Sequence, residues 1–320
     1  MTDSPLPEAW QRAEVPPLPA IGSDVVDEFA RTIYGRTPDG GRLTEVVLRS
    51  RDDGVLDGAA DRLRHRAVIA CPLDDLELDT VTHLPAGASA EHPVPLVVTL
   101  DFEGNKEPPA QVMAAGYAVL AVDYQQIEPD DPDPAATGVR ALFPRESWGA
   151  VGAWAWGLSR LLDIAGSIEG VDPAEPIVLG HSRLGKAALW AGAQDERFAV
   201  TVANGSGCCG ASLFRHPGGE DIAAITTKFP HWFVPSFSTY AGNEDSLPVD
   251  QHQLLASIAP RRVYVTSAED DAWADPIGEY LAVQAARPAF GPDGIGYHLR
   301  PGGHALLEED WLHALAFAKR

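Results

Sequence analysis

Short, almost wholly apolar runs alternate with segments of helical character from residue 95 onward, and this alternation limits the fold more than any other feature. Apolar runs of roughly four to eight residues, bounded by turn residues, are typical of strands buried on both faces of a parallel sheet. Because parallel neighbours need a crossover, which is usually a helix, the pattern predicts an α/β fold with a mostly parallel central sheet and helices on both faces. The predicted strands are 96–100, 117–122, 177–179, 199–203, 262–267 and 295–299.

The remaining segments suggest an arm, one domain and a cap. Residues 1–22 are expected to form a loose N-terminal arm, and residues 23–320 a single domain. Residues of about 208–260 are rich in aromatic side chains and break the alternation, so we expect a loop-rich cap over one end of the sheet. Helices are predicted at 25–34, 109–115, 147–164 and 186–193, and two further strands, which a turn could pair antiparallel, at 44–51 and 66–72.

The charge balance argues against several classes of partner. The chain has 46 Asp and Glu residues against 24 Lys and Arg, a net charge of −22. Such a field repels phosphate backbones and anionic lipid, so we expect neither a nucleic-acid nor a membrane partner. Three cysteines, two of them the adjacent Cys208 and Cys209, argue against a disulfide framework. Residues 1–16 show no basic segment followed by an apolar run, so a cytoplasmic location is expected.

A serine lies in a glycine-flanked turn where a predicted strand runs directly into a helix of small residues. Ser182 follows Gly180 closely, although Leu184 stands where Gly-x-Ser-x-Gly has its second glycine and Gly185 comes one residue later. A tight turn lifts a serine hydroxyl clear of the sheet edge, and the following helix N-terminus offers N–H groups to an oxyanion. The turn therefore predicts Ser182 as a nucleophile; the alternative is a structural turn with a capping serine.

A histidine near the C-terminus is the candidate general base. In the chain order serine, acid, histidine, the base belongs in a loop after the last strand. His304 lies in such a loop, Arg-Pro-Gly-Gly-His. His298 is the rival, but it lies inside the predicted last strand.

Several motifs occur in the order found in one esterase family. They are Gly-x-Ser-Arg-x-Gly-Lys at 180–186, Tyr-Gly-Arg-Thr-Pro at 34–38, Phe-Glu-Gly-Asn at 102–105, Phe-Pro-His-Trp-Phe at 229–233, Leu-Pro-Val-Asp-Gln-His at 247–252, Ile-Ala-Pro-Arg at 258–261 and Gly-His at 303–304. From residue 34 to the C-terminus the chain thus resembles the glucuronoyl esterases, carbohydrate esterase family 15, and their bacterial relatives, often labelled acetylxylan esterases. The resemblance implies an α/β-hydrolase fold and an ester of 4-O-methyl-glucuronic acid as substrate.

The third member of the triad departs from the family pattern. Family members typically carry a glutamate in a Glu-Ser-Gly-x-Gly-Gly segment, and here Gly205 stands at that place. The other position used by the fold follows the next strand, where the chain has Glu269, Asp270 and Asp271. We predict Asp271 as the acid that holds the His304 imidazole in its working tautomer, with Asp270 and Glu269 as alternatives.

Further residues are assigned to the oxyanion and the substrate. Arg183 follows the nucleophile, so its N–H is an oxyanion donor by position; by resemblance, its guanidinium also leans toward the developing charge. The alternative is a surface salt bridge, and a second donor is expected from 102–105. By resemblance, Lys186 contacts sugar hydroxyls, against the alternative of a surface lysine. Trp273 is expected to stack on a sugar ring, and Trp232 with His231 to build the cap wall.

These predictions combine into a serine carboxylesterase that acts on a small-molecule or oligosaccharide ester through an acyl-enzyme. No cofactor is expected, and no metal, because His231, His252 and Asp250 match no metal-binding spacing. Two alternatives remain open. One is an acetyl esterase on xylo-oligosaccharides; the other, prompted by the altered acid position, is a catalytically silent carbohydrate-binding protein.

Overall fold

A computed structural model describes residues 7–11, 13–22, 24–103, 106, 108–132, 138–144 and 147–319. Its strands are β1 Arg42–Gly54, β2 Ala60–Ala70, β3 Asp75–Pro85, β4 Val94–Asp101, β5 Ala118–Asp123, β6 Val171–His181, β7 Val200–Asn204, β8 Arg262–Ala268 and β9 Ile295–Arg300. They form one sheet in the order β1-β2-β3-β5-β4-β6-β7-β8-β9. From β5 onward all neighbours run parallel, and β1 to β3 form an antiparallel extension. The predicted mostly parallel sheet is confirmed.

Strand β3 was not predicted from the sequence. It alternates the buried Leu76 and Leu78 with the exposed Glu77 and Asp79. This period of two is typical of an antiparallel strand with one face on the core, whereas the apolar runs marked strands buried on both faces. The acidic side chains pair with Arg66 of β2, at 3.0 Å from Glu77 and 2.8 Å from Asp79.

The longest helix begins later than predicted. Trp148 forms a β-bridge with Gly35 instead of a first helical turn, and Gly149 caps the helix in extended backbone. A Cβ at Gly149 would lie 2.0 Å from the carbonyl oxygen of Trp232, so only glycine allows this approach.

No described helix is long and apolar enough to cross a bilayer. The helices are α1 Glu8–Gln11, α2 Val25–Phe29 with a π-helical continuation Ala30–Tyr34, α3 Val55–Gly58, α4 Ala110–Ala114, α5 Val139–Leu142, α6 Ala150–Ala165, α7 Arg183–Gln194, α8 Ile222–Lys228, α9 Gln251–Ser257, α10 Pro276–Ala286 and α11 Glu308–Ala318.

Helices cover both faces of the parallel strands. Successive strand residues point to opposite faces. Val98 and Val178 belong to the core cluster that includes α6 and α7, while Val97 and Ile177 belong to the cluster on the other face, beside α4 and α11. Because strands β4 to β8 run parallel, their carboxyl ends meet at one edge of the sheet, where α/β proteins place their ligands.

The segment between β7 and β8 contains helices and loops but no strand, as its sequence indicated. Its turn at Pro230–Trp232 packs against α6, and α9 packs against α7. The division into arm, domain and cap stays a prediction, but the arm is not loose where it meets this segment. The carbonyls of Pro19 and Ala20 accept hydrogen bonds from His252 and Gln253 of α9, at 3.0 and 2.6 Å.

Candidate active site

The turn between β6 and α7 places a serine in a strained backbone conformation. Ser182 has φ 59° and ψ −127°, and its N–H donates to the carbonyl of Asn204 at 2.9 Å. A Cβ at Gly180 would lie 2.1 Å from the carbonyl oxygen of Leu184, and one at Gly185 3.0 Å from Cβ of Ser206. Leu184 itself is buried in the core. The second glycine is therefore needed at position 185, where α7 crosses the loop after β7, and not at position 184.

Three predicted side chains form a hydrogen-bonded chain at this turn. Ser182 Oγ lies 2.9 Å from Nε2 of His304, and Nδ1 of the same ring lies 2.5 Å from Oδ2 of Asp271. This arrangement places the ring proton on Nδ1, so that Nε2 accepts from the serine hydroxyl. Asp271 is buried, whereas the His304 side chain is 43% exposed. The site thus joins a protected carboxylate to an imidazole that a substrate can reach.

The rival acids and the rival base point elsewhere. The side chains of Glu269 and Asp270 are exposed, and their N–H groups donate to the carbonyls of Arg300 and Gly302, both at 2.9 Å. These two bonds tie the acidic turn to the loop that carries His304, and they turn the next residue, Asp271, inward. His298 lies in β9 and stacks on His313 with the ring centroids 3.8 Å apart.

Gly205 occupies the place of the family's glutamate and lies directly against the triad. Its φ is +50°, and a Cβ there would lie 3.3 Å from Oδ2 of Asp271 and 3.4 Å from Nδ1 of His304. Positions 205 and 271 therefore converge on the same ring nitrogen. Without a side chain at 205, the carboxylate of Asp271 has the space it needs.

Arg300 shapes the loop of the histidine, a role that the sequence analysis missed. Its buried guanidinium donates to the carbonyls of Gly303 and Ala305 at 3.1 and 2.6 Å, and to Asp310 at 2.9 Å. The only sequence signal was a charged residue at the end of an apolar strand. Because long charged side chains are buried only when paired, this arrangement gives the loop a defined conformation.

Arg183 lies beside the serine with its guanidinium stacked on aromatic rings. Its Cζ lies 4.9 Å from the ring centroid of Trp232 and 5.5 Å from that of Phe229, and Nη1 pairs with Asp130. Its backbone N–H belongs to the first residue of α7. The predicted second oxyanion donor falls partly outside the described residues, since the segment 102–105 is described only through Glu103.

Lys186 is buried, which corrects the surface alternative. Its ammonium donates to the carbonyls of Ser206 and Cys208 at 2.7 and 2.6 Å and lies 3.8 Å from the carboxylate of Glu220. These partners take up much of its donor capacity, so contact between its ammonium and a sugar stays a prediction. Glu220 was not identified from the sequence, because it lies in a loop of the cap without a motif of its own.

The triad opens into a cavity of about 120 Å³ lined by Ser182, Arg183, Lys186, Glu220, Trp273 and His304 among others. Trp273 is 56% exposed at its rim, so a ring face is available to a ligand. Trp232 forms part of the wall and is only 3% exposed, stacked on Phe229 at 3.8 Å. His231 is not among the residues that line the cavity, and its Nε2 bonds Asp130 at 2.8 Å behind that wall, so its assignment to the substrate stays a prediction.

A second histidine adjoins the triad without competing for its proton. Burial, together with the nearby His304, lowers the pKa of His181 to about 4. Its Nδ1 lies 2.6 Å from Oδ1 of Asn204, and its ring centroid lies 4.6 Å from that of His304. His181 is therefore neutral near pH 7, and His304 is the ring that can exchange a proton with Ser182.

A buried glutamate supports the loop that lies against the triad. Glu279 is fully buried and accepts hydrogen bonds from the N–H groups of Ser206 and Gly207 at 2.8 and 2.9 Å, and from the hydroxyl of Ser267 at 2.5 Å. Burial raises its pKa to about 7, although these donors act in the opposite direction. Glu279 thus stabilises the loop that begins at Gly205.

We expect Glu279→Gln to remove part of the pH dependence of stability. The folded carboxyl holds its proton up to a pH of about 7, against 4.5 unfolded, so stability falls as the pH rises through that window, by on the order of 3 kcal/mol. Glutamine has no such transition. Urea unfolding of both proteins across this pH range measures the difference, with the exposed Glu169→Gln as the control. Parallel profiles for wild type and Glu279→Gln would contradict this prediction.

The residues considered for a metal are occupied by other contacts. Asp250 caps α9 and pairs with Arg215 at 3.1 Å, and His252 bonds the N-terminal arm. No group of three His, Cys, Asp or Glu side chains suited to a metal ion occurs in the part of the chain that the structure describes. The absence of a cofactor stays a prediction.

Comparisons with known proteins agree with the fold. The family model for fungal glucuronyl esterases matches residues 74–294. A carbohydrate esterase from an unknown prokaryotic organism is 35% identical, over 92% of this chain and 83% of its own length. A 4-O-methyl-glucuronoyl methylesterase of Podospora anserina is 38% identical over 47% of this chain, which spans about a third of that relative (34%). The glucuronoyl esterase of Solibacter usitatus superposes with a TM-score of 0.82 at 32% identity, covering 99% of this chain and 94% of that one.

Fold and comparisons together define a class. A mostly parallel sheet, a serine on a strained turn and these relatives make this chain a carboxylic ester hydrolase with the α/β-hydrolase fold. More specifically, it belongs to carbohydrate esterase family 15, the glucuronoyl esterases. The family resemblance drawn from the motifs is confirmed.

Proposed function

We propose that the protein hydrolyses esters of 4-O-methyl-glucuronic acid with Ser182 as nucleophile, His304 as base and Asp271 as the acid. The observation that carries the proposal is the continuous hydrogen-bonded chain through these residues, which opens into the cavity described above. The names of the Podospora and Solibacter relatives support the glucuronoyl part of the substrate.

The reaction follows from the positions of the three groups. Ser182 Oγ attacks the ester carbonyl carbon while Nε2 of His304 takes the hydroxyl proton, and Asp271 stabilises the resulting imidazolium. The oxyanion of the tetrahedral intermediate lies near the N–H and the guanidinium of Arg183. The C–O bond to the alcohol then breaks, and the alcohol leaves with the proton of His304. Water, activated by His304, hydrolyses the acyl-enzyme, releases the uronate and restores Ser182.

The cavity suits a sugar on the acyl side of the ester. Glu220 offers carboxylate oxygens to sugar hydroxyls, and Trp273 offers an exposed aromatic face to the apolar face of a pyranose. Arg183 and Lys186 also line the cavity, each paired with a carboxylate, Asp130 and Glu220 respectively. Their N–H groups therefore serve a developing oxyanion as directed donors rather than through a net positive charge.

A substrate panel tests the proposal. We expect kcat/KM for the methyl ester of 4-O-methyl-glucuronate to exceed that for acetylated xylose by at least about 100-fold, because only the uronate ester places the sugar on the acyl side, within reach of Glu220 and Trp273 during attack. Initial rates of ester hydrolysis at matched concentrations measure the ratio. A ratio near one, or a preference for the acetyl ester, would contradict the glucuronoyl assignment in favour of the acetyl-esterase alternative.

A further inference from the structure

A single carboxylate behind the cavity wall gathers donors from three parts of the chain. Oδ1 of Asp130 accepts from Nε2 of His231 at 2.8 Å and from Nε1 of Trp232 at 2.6 Å. Oδ2 pairs with Nη1 of Arg183 and accepts from the hydroxyl of Tyr124 at 3.3 Å. Its side chain is only 11% exposed. Asp130 is thus the hydrogen-bond acceptor shared by the cap, by Tyr124 in the loop after β5, and by Arg183 next to the nucleophile.

The surroundings of Asp130 keep it charged. Burial raises the pKa of this carboxyl, but the hydrogen bonds from His231 and Trp232 and the charge of Arg183 outweigh burial and bring the pKa below its usual value. An anion that is largely removed from water and well supplied with donors gives a strong, directed ion pair. Arg183 therefore faces a permanent negative charge on one edge of its guanidinium.

This ion pair determines where the guanidinium points. Stacking on Trp232 and Phe229 restrains the plane of the Arg183 guanidinium, but the guanidinium can still rotate within that plane. The bond from Nη1 to Asp130 removes this rotation. We propose that Asp130 is a positioning residue, which holds the Arg183 guanidinium beside Ser182 and thereby contributes to oxyanion stabilisation; this inference rests on the proposed function.

A purely structural tether is the competing explanation, and the chain contains a matched example of one. Glu128 precedes Asp130 by two residues and forms a buried ion pair with Arg140 at 2.8 Å. Arg140 in turn donates to the carbonyl of His231 at 3.3 Å. This pair links the loop after β5 to the cap, as Asp130 does, without touching Arg183. Glu128→Gln therefore serves as the control for a loosened cap.

A double-mutant cycle between Asp130 and Arg183 tests the inference on the full chain. We expect Arg183→Met to lower kcat about 100-fold, and Asp130→Asn about tenfold with KM changed less than about twofold, because the pair acts on transition-state charge. In the Arg183→Met background, Asp130→Asn should cause no further loss of kcat. Glu128→Gln should lower the melting temperature but keep kcat within about twofold of wild type.

The possible outcomes separate the two proposals. If Arg183→Met leaves kcat unchanged, the oxyanion role of Arg183 in the proposed function is wrong. If Arg183→Met lowers kcat and Asp130→Asn lowers it further in that background by the same factor as in the wild type, the positioning role is wrong. The positioning role is also wrong if Glu128→Gln lowers kcat as much as Asp130→Asn does. Should Asp130→Asn not fold, His231→Leu removes one donor from Asp130. It should cause a smaller loss of kcat that disappears in the Arg183→Met background, and no loss would overturn the inference.

Discussion

Ser182→Ala is expected to lower kcat for a glucuronate ester by at least about 10⁴-fold while the protein stays folded. The substitution removes one oxygen, the atom 2.9 Å from Nε2 of His304, and with it the only path to an acyl-enzyme in the proposed mechanism. Residual turnover comes from water activated by His304 beside the oxyanion donors. Initial rates at saturating ester measure the loss, and thermal unfolding confirms that the fold is intact.

The same variant addresses whether the site is active at all. A fluorophosphonate probe should label the wild-type protein but not Ser182→Ala, since it reacts only with an activated serine. Ser238→Ala serves as the matched control, because its hydroxyl is exposed and donates to the neighbouring carbonyl of Pro235 at 3.0 Å. Absence of labelling in the wild type would favour the catalytically silent alternative, and undiminished turnover in Ser182→Ala would remove the serine from the mechanism.

Asp271→Asn is expected to lower kcat about 10⁴-fold with little change in stability. The carboxylate accepts the Nδ1 proton of His304 at 2.5 Å and stabilises the imidazolium that forms during attack. An amide of the same shape can donate to Nδ1 and favour the tautomer with its proton on Nε2, which cannot accept from Ser182. The measurement is kcat at saturating ester, with thermal unfolding to show that the variant folds.

The neighbouring acids provide the controls for Asp271. Asp270→Asn and Glu269→Gln change the same charge on the same turn, but their side chains are exposed and only their backbone groups bind the His304 loop. We expect both variants to retain kcat within about twofold, because surface charges contribute little. A loss of kcat in Asp270→Asn equal to that of Asp271→Asn would transfer the acid role or show that the whole turn is needed.

Local patterns were sufficient to predict the parallel strands and the nucleophile turn. An apolar run such as that of β4 has few alternatives once helical segments flank it. Strand β3 was missed because its alternation of Leu76 and Leu78 with acidic residues covers only residues 75–79, and acidic residues are uncommon in strands. The start of α6 was misplaced because Gly149 is required by the carbonyl of Trp232, which is distant in sequence.

The acid could not be chosen among three consecutive candidates by sequence. Residues 269, 270 and 271 share charge and neighbourhood, and their directions depend on two hydrogen bonds to the loop at Arg300 and Gly302. The residue at position 205 gave an indirect signal, since a glycine there removed the usual carboxylate. Only the folded chain shows that positions 205 and 271 approach the same nitrogen of His304.

By itself, the sequence determined the α/β architecture and the serine turn, because both depend on contacts among residues close along the chain. Tertiary structure decided which side chains face the cavity. Lys186 turned out to be held by two loop carbonyls, and His231 to lie behind the wall with Asp130 as its partner. Those directions depend on hydrogen bonds between segments far apart in sequence, and no local pattern encodes which distant donor will meet which acceptor.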